Sequence, residues 1–393
     1  MKATILLLLL SCCLTMFGQT ETEYQKYLRE RNEKLQSMQN ERDEGIERLN
    51  KEWEEYYKAE QEAYANFVKK MEAKWGKGNA KESTQTDWVE YSEDGNTRSS
   101  VDFETGEAVV EIIQEKDEKP DIKKLEDGIK FLIVNKGKTK DYDSEVEKSI
   151  PLQDKPVLEN QVIAPDGTIV TEQNIEKEAK NIVAHSEPEI KTIKGADNTE
   201  RTVIIVRLNL APDHIKTRAE QYSNEVTKYC NKYGIDPALA LAVMQTESSF
   251  NPKAKSHVPA YGLMQIVPNS AGADCAESLK KGFKIPTANY LYEPENNIEM
   301  GIHYLYLLKK RYFSKVENND SQTLCMIASY NTGAGNVSRA LRGDTKISKA
   351  IPQINEMTYD QLFKHFSKKL HKETQDYIVR VTERMNNFKK WIK

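Results

Sequence analysis

Gln245-Thr246-Glu247-Ser248-Ser249-Phe250-Asn251-Pro252-Lys253-Ala254-Lys255-Ser256, followed after a short loop by Gly262-Leu263-Met264-Gln265-Ile266-Val267-Pro268, is the stretch on which the reading of this chain turns. Ala238 to Met244 lead into it and are apolar on every side, which predicts a helix buried all round. Pro237 opens that helix where proline is tolerated. Asn251-Pro252 stops it, because a residue before proline is pushed out of the helical region. Glu247 therefore falls in the last turn. Poor hydration and the negative end of the helix dipole both raise the pKa of a carboxyl there. An acid that keeps its proton near neutral pH is what general acid catalysis requires. Taken alone, one glutamate reads better as a surface charge or the partner of a lysine; the surrounding residues reverse that balance.

Two further patterns follow. Ser329-Tyr330-Asn331-Thr332-Gly333-Ala334-Gly335 stands well downstream, and Glu373-Thr374 with Tyr377 and Val381 lies near the end. In order, the four stretches resemble the signature motifs of the family 1 lytic transglycosylases: Glu-Ser-x-Phe-Asn-Pro-x-Ala-x-Ser, Gly-Leu-Met-Gln-Ile-x-Pro, Ala-Tyr-Asn-x-Gly-x-Gly and Glu-Thr-x-x-Tyr-x-x-x-Val. Ser329 replaces the usual Ala. The resemblance implies a lysozyme-like, all-α catalytic domain whose substrate is the glycan strand of peptidoglycan. It implies that Glu247 is the catalytic acid and then the base. Ser256 and Gln265 would bind the acetamido group or sugar hydroxyls. Tyr330 and Asn331 would line the cleft, and Tyr377 would bind or orient Glu247. Met264 reads first as core packing, with a sugar face as the alternative that its place in the motif offers. Phe250 reads as core, and Asn251 and Pro252 as the helix stop.

Most glycosidases need two carboxylates, and the motifs offer only Glu247. Asp274, Glu277, Glu293 and Glu295 read as solvated loop residues. One acid suffices if the substrate attacks itself. As the resemblance implies, the muramic C6 hydroxyl then closes a 1,6-anhydro ring, without water or metal. Two rivals remain: a lysozyme-type muramidase on the same fold, and a non-catalytic peptidoglycan-binding protein.

The remaining sequence sets bounds. With 393 residues the chain has room for two or three domains. A net charge of -4 gives no basic excess for nucleic acid. The six His are scattered at no metal-ligand spacing, and no cofactor motif is found. Gly333-Ala334-Gly335 follows a helix and lacks a third glycine, which disfavours a nucleotide loop.

Residues 1–18 read as an export signal, too short in its apolar core to span a membrane. Leu9-Leu10-Ser11-Cys12 resembles a bacterial lipobox with Cys12 lipidated, and a cut after Gly18 competes with it. Either way the chain is expected in the periplasm or cell envelope, and an anchor to the outer membrane suits a wall substrate. Cys230, Cys275 and Cys325 remain after export, an odd number that allows one disulfide at most.

Residues 19–78 form an expected helical arm. Its stripe runs Ile46, Leu49, Trp53, Tyr56, Tyr57, Tyr64, Phe67, Val68, Met71 and Trp75, with a sparse, tether-like start to Asn40 and a stop at Gly76 and Gly78. Gly45 breaks any heptad, although an oligomerising arm stays open.

Residues 79–211 read as strand-rich. Trp88 to Tyr91, Arg98 to Phe103 and Glu107 to Ile113 form a meander. Val162-Ile163 and Thr168 to Val170 flank a turn, Arg201 to Leu210 is a strand, and Ile122 to Leu132 a helix. Gln114 to Pro120 and Lys138 to Lys148 read as solvated loops. Phe67, Lys74-Trp75-Gly76, Tyr91, Arg98 and Val101-Asp102-Phe103-Glu104-Thr105-Gly106 resemble the N-terminal domain of one subgroup, the membrane-bound lytic murein transglycosylase C type. Residues 212–393 read as the catalytic domain. Its helices are Lys216 to Tyr233, the buried one, Asn296 to Tyr312, Ser321 to Tyr330 and Gln375 to Lys390. The fold class expected for the whole chain is α+β.

Overall fold

A computed structural model describes residues 23–116, 118–140 and 149–391. The export signal and Cys12 lie outside the described residues. The chain divides into two compact units, Met1–Tyr56 and Tyr57–Lys393. Helix α1 (Glu23–Trp75) supplies the described part of the first and opens the second. It corrects one expectation: the segment before Asn40 is helical rather than a tether, and the helix runs on through Gly45. Glu, Lys, Arg and Gln are strong helix formers, and one interior glycine costs about 1 kcal/mol, which so long a helix absorbs. Gly76 then stops it in the left-handed region at φ 93°.

In the second unit α1 leads into a five-stranded sheet. Strands β1 (Asp87–Tyr91), β2 (Thr97–Asp102) and β3 (Glu107–Glu115) form the expected meander. Next come α2 (Ile122–Val134), a small β4 (Lys138–Lys140) paired with β5 (Ser149–Pro151), and α3 (Ile175–His185). Strands β6 (Glu189–Lys194) and β7 (Glu200–Asn209) complete the sheet in the order β1-β2-β3-β7-β6, antiparallel throughout. Lys138–Lys140 is thus a strand, not a loop, while Val162, Ile163 and Ile169 make only isolated bridges.

Alternation along the strands gives the sheet two apolar faces. One, with Trp88, Val110, Ile112 and Ile204, is covered by Leu125, Ile129 and Leu132 of α2 and Ala179 and Ile182 of α3. Gly128 lets α2 approach closely, since a Cβ there would meet Val110. The other face, with Ile113, Val203 and Ile205, packs on Met71 and Trp75 of α1. Arg98 lies over the Trp75 ring at 4.1 Å and grips Glu111 with two bonds of 2.7 Å. The end of the arm therefore belongs to the core of the strand-rich domain.

The remainder is helical. The helix expected over Lys216 to Tyr233 is two, α4 (His214–Gln221) and α5 (Ser223–Tyr233), broken at Tyr222, with Gly234 capping α5 in the left-handed region. Helix α6 (Pro237–Ser248) begins as expected: Asp236 caps the Ala238 amide and Pro237 occupies the first turn. Ala238 to Met244 are all buried. A π turn (Pro268–Gly272), α7 (Ala273–Leu279), α8 (Ala288–Tyr292) and α9 (Pro294–Leu307) follow, α9 running into a second π turn at Leu308–Tyr312. The last are α10 (Asn319–Thr332), α11 (Ala334–Arg342), α12 (Ile347–Glu356), α13 (Tyr359–Lys369) and α14 (Lys372–Trp391). Helix α14 packs along α6. Asp274, Glu277 and Glu295 stand on helices α7 and α9 instead of loops, and Glu295 pairs with Lys228 at 2.6 Å. The three described cysteines are buried free thiols.

Candidate active site

Glu247 stands in the last turn of α6, partly exposed at the end of an otherwise buried helix. The helix stops earlier than Asn251-Pro252 requires: Ser249 and Phe250 are both left-handed, at φ 49° and 64°. The Tyr377 hydroxyl, from α14, donates to Glu247 Oε1 at 2.6 Å. Burial pushes the Glu247 carboxyl up from 4.5 to about 7. The Tyr377 hydrogen bond and the Arg380 charge pull the other way, and Glu373 adds to the rise. A carboxyl so placed carries a proton at neutral pH and can both give it up and take one back.

Tyr330 and Asn331 stand at the end of α10, Tyr330 near this group. The Tyr330 hydroxyl donates to the Met264 carbonyl at 2.8 Å, and Glu247 lies near enough to raise the pKa of that phenol further. Asn331 donates to Glu373 at 3.3 Å and accepts from Thr374 at 2.6 Å, which ties α10 to α14 beside the acid.

The Gly262–Ile266 turn is built around Asn297 of α9. Its side chain accepts from the Met264 amide and donates to the carbonyls of Tyr261 and Leu291, each at 2.7 Å. Gly262 has φ 74°, and a Cβ there would collide with the Leu291 carbonyl and the Asn297 amide. Gln265, at φ 48°, donates to the carbonyls of Ala254 and Gly262, while its own side-chain oxygen is buried without a partner. Ser256 bonds the Val258 carbonyl within its own loop and accepts from the Ala260 amide at 3.3 Å. Met264 is wholly buried and packs where α9 has Gly301. Core packing, the first reading of Met264, therefore holds, and its alternative as a sugar contact is corrected, because no part of it reaches solvent.

Phe250 is core, edge-on to Phe388 at 6.2 Å. Asn251 does more than stop a helix: its amide donates to the carbonyls of Thr84 and Asp87 at 3.1 and 3.0 Å, joining the acid's loop to the start of β1. Sequence reasoning missed Arg380, Asn297 and this use of Asn251. For Arg380 the helical spacing from Tyr377 was the available signal; the other two show only in three dimensions.

A cavity of about 770 Å³ lies between α1, the β1–β2 hairpin and the Lys253–Lys255 segment. Tyr64, Phe67, Tyr91 and Tyr292 line it together with Lys253 and Lys255, and Glu247 is not among its walls. Among the described residues no cluster could hold a metal ion, and no helix is long and apolar enough to cross a membrane.

Residues 224–352 match the family model described as Transglycosylase SLT domain. Residues 49–221 match that of the Membrane-bound lytic murein transglycosylase C, N-terminal domain. The membrane-bound lytic murein transglycosylase C of Haemophilus influenzae (strain PittGG) is 31% identical over 325 residues, 82% of this chain and 87% of that protein. Its counterpart from Salmonella arizonae is 36% identical over 294 residues, 74% of this chain and 78% of that one. Among solved structures, the 70 kDa soluble lytic transglycosylase of Escherichia coli aligns with 46% of this chain at 23% identity and a TM-score of 0.36. That alignment spans 26% of its own length.

Proposed function

Since this chain belongs to the membrane-bound lytic murein transglycosylase C family and is a peptidoglycan lytic transglycosylase, we propose that Glu247 performs its chemistry alone, first as acid and then as base. What supports this is the place of Glu247 at the end of a buried helix, where Tyr377 alone hydrogen-bonds its carboxyl among the described residues and burial pushes its pKa up to about 7. Glu247 protonates the oxygen between N-acetylmuramic acid and N-acetylglucosamine, and the bond from that oxygen to the muramic C1 breaks. The acetamido group supports the forming cation. Ionised Glu247 then takes the proton of the muramic C6 hydroxyl as its oxygen bonds to C1. The products are a free 4-hydroxyl on N-acetylglucosamine and a 1,6-anhydro ring; no water is consumed. Tyr377 steadies the ionised intermediate form of the acid by donating to it.

Ser256, Gln265, Tyr330 and Asn331 take the glycan side of the site. The Gln265 oxygen is buried without a partner, so it can accept from a sugar N–H or O–H only once the glycan opens the turn around it. The division proposed for the chain is an arm over 19–78, a strand-rich domain over 79–211 and a catalytic domain over 212–393. The strand-rich domain and the arm dock substrate through the aromatic and basic cavity between them. The enzyme associates with the cell envelope. The finer proposal is an outer-membrane lipid anchor on Cys12, and palmitate labelling that misses Cys12 rules it out.

Two measurements test the mechanism. Glu247→Gln should fold and lose muropeptide release from sacculi by on the order of a hundredfold or more, because an amide cannot donate the proton. Product masses should be lighter by one water than those of a muramidase; full-weight products would transfer the attack to water.

A further inference from the structure

Arg218 is almost completely buried, with 1% of its surface exposed; among the described residues no carboxylate hydrogen-bonds to it, and the Asp102 charge acts on it only from a distance. Its guanidinium instead meets three neutral oxygens on three separate segments. Nε donates to the Ser249 carbonyl at 3.1 Å, Nη1 to Gln161 Oε1 at 3.0 Å and Nη2 to the Phe103 carbonyl at 2.7 Å. The group also lies over the Phe103 ring at 4.4 Å. Phe103 and Gln161 belong to the strand-rich domain. Gln161 is itself fixed, donating to the Val157 carbonyl at 2.9 Å while its backbone carbonyl accepts from Ala211. Ser249 is the left-handed cap two residues after Glu247, and its amide closes the last turn of α6 on Gln245. The Gln245 carbonyl also accepts from Arg384 of α14 at 2.9 Å, and Arg384 approaches Glu104, next to Phe103, at 3.7 Å.

A buried cation with no hydrogen-bonded acid costs free energy, and burial lowers the Arg218 pKa to about 9, with Tyr222 and the Asp102 charge opposing the fall. A hydrophobic side chain would fill the space without that cost. What arginine adds is a planar fork of fixed geometry that can hold three carbonyl-type oxygens at once. One of the three sets the direction in which the end of α6 points.

We propose that Arg218 is a positioning residue for the acid: it clamps the Ser249 cap to Phe103 and Gln161, so that the strand-rich domain forms part of the catalytic apparatus. This rests on the reading of Glu247 as the acid. With the clamp intact the carboxyl stays against Tyr377, only partly open to water. With it loosened, the cap relaxes, water reaches the carboxyl, and its pKa falls toward the ordinary carboxylate range. The charged and titratable groups facing Glu247 are Tyr377, Arg380 and Glu373 from α14 and Tyr330 from α10, and none of them is altered by the test.

The test uses the full chain with Arg218→Lys, which keeps the charge and loses the fork, and Gln161→Met, which removes one of the three acceptors. Each is measured for melting temperature, for kcat and KM on purified glycan strands, and for the pH dependence of kcat. For a folded Arg218→Lys protein, kcat should fall on the order of tenfold to a hundredfold, as a small misplacement of a catalytic group does, with KM nearly unchanged. The basic limb of the profile should move to lower pH. A folded variant with the wild-type kcat and basic limb overturns the proposal, whatever its melting temperature. Should Arg218→Lys not fold, the same two results are read from Gln161→Met. Glu247→Gln is run beside them. If it turns over, the assignment of the acid fails; if it is dead while the clamp variants behave as wild type, only the present inference fails.

Discussion

Replacing Tyr377 by Phe removes the one hydrogen bond that the described structure gives the Glu247 carboxyl and changes almost nothing else. Tyr377 is 3% exposed, so Phe fills the same space, and only the 2.6 Å bond is lost. That bond favours the ionised acid, so without it the pKa of Glu247 rises above its present value of about 7. A hydrogen bond to an ionised group is worth about 1.5–3 kcal/mol, and one pH unit corresponds to about 1.4 kcal/mol. Glu247 is partly exposed, and water replaces some of what Tyr377 gave. The low end therefore applies, and the basic limb of the activity profile should move up by about one pH unit. The same loss destabilises the ionised acid that follows the first proton transfer, so the plateau rate should fall by about tenfold. The assay is release of soluble muropeptides from sacculi across pH, with the melting temperature as a check on folding. A basic limb that stays in place or moves to lower pH refutes the claim that Tyr377 acts by holding the ionised form.

Three other outcomes follow from the same geometry. The folded state raises Glu247 from 4.5 to about 7, so it binds the proton more tightly than the unfolded chain. Its contribution is complete below the unfolded value and is lost as pH rises through the folded one. Glu247→Gln should therefore be more stable than wild type above neutrality, by at most about 3 kcal/mol, and indistinguishable in acid; denaturant titrations at two pH values check this. Arg380→Gln removes an exposed charge that lowers the Glu247 pKa. Its basic limb should move up by less than in Tyr377→Phe, and added salt should bring wild type toward the variant. Gly262→Ala places a Cβ against the Leu291 carbonyl at φ 74° and should cost about 2 kcal/mol or more in urea unfolding. An unchanged midpoint would mean that the turn is not fixed by that contact.

What could be read from the chain was whatever repeats with a short period. The apolar run before Glu247 gave α6, its burial and the place of the acid in its last turn. Alternation between turn residues gave β1, β2, β3 and β7. Strand β6 escaped because its residues are nearly all exposed at the sheet edge, so Glu189–Lys194 shows no alternation. The break at Tyr222 escaped because apolar spacing runs on across it from α4 into α5. The bonds that join the sheet region to the helical region escaped altogether. Arg218 to Phe103, or Asn251 to Thr84, are polar contacts between distant segments, and a single arginine or asparagine in sequence carries no sign of its partner.

The end of α6 shows most clearly where local reasoning reaches its limit. Pro252 is a sound reason for a helix to stop by Asn251, yet the helix stops at Ser248. Two consecutive non-glycine residues in the left-handed region, one of them Phe, are not a local preference, and each costs about 1 kcal/mol or more. They persist because tertiary contacts hold them: Arg218 on the Ser249 carbonyl, and Phe388 against the buried Phe250 ring. Gln265, the third left-handed residue of the motif region, is likewise held by bonds to Ala254 and Gly262. Of the six described non-glycine residues at positive φ, these three lie in the two motifs that form the site, while Asn160, Asn198 and Lys280 lie elsewhere. Residues chosen for the site's geometry against their own backbone preference are where sequence rules should fail, and they fail there.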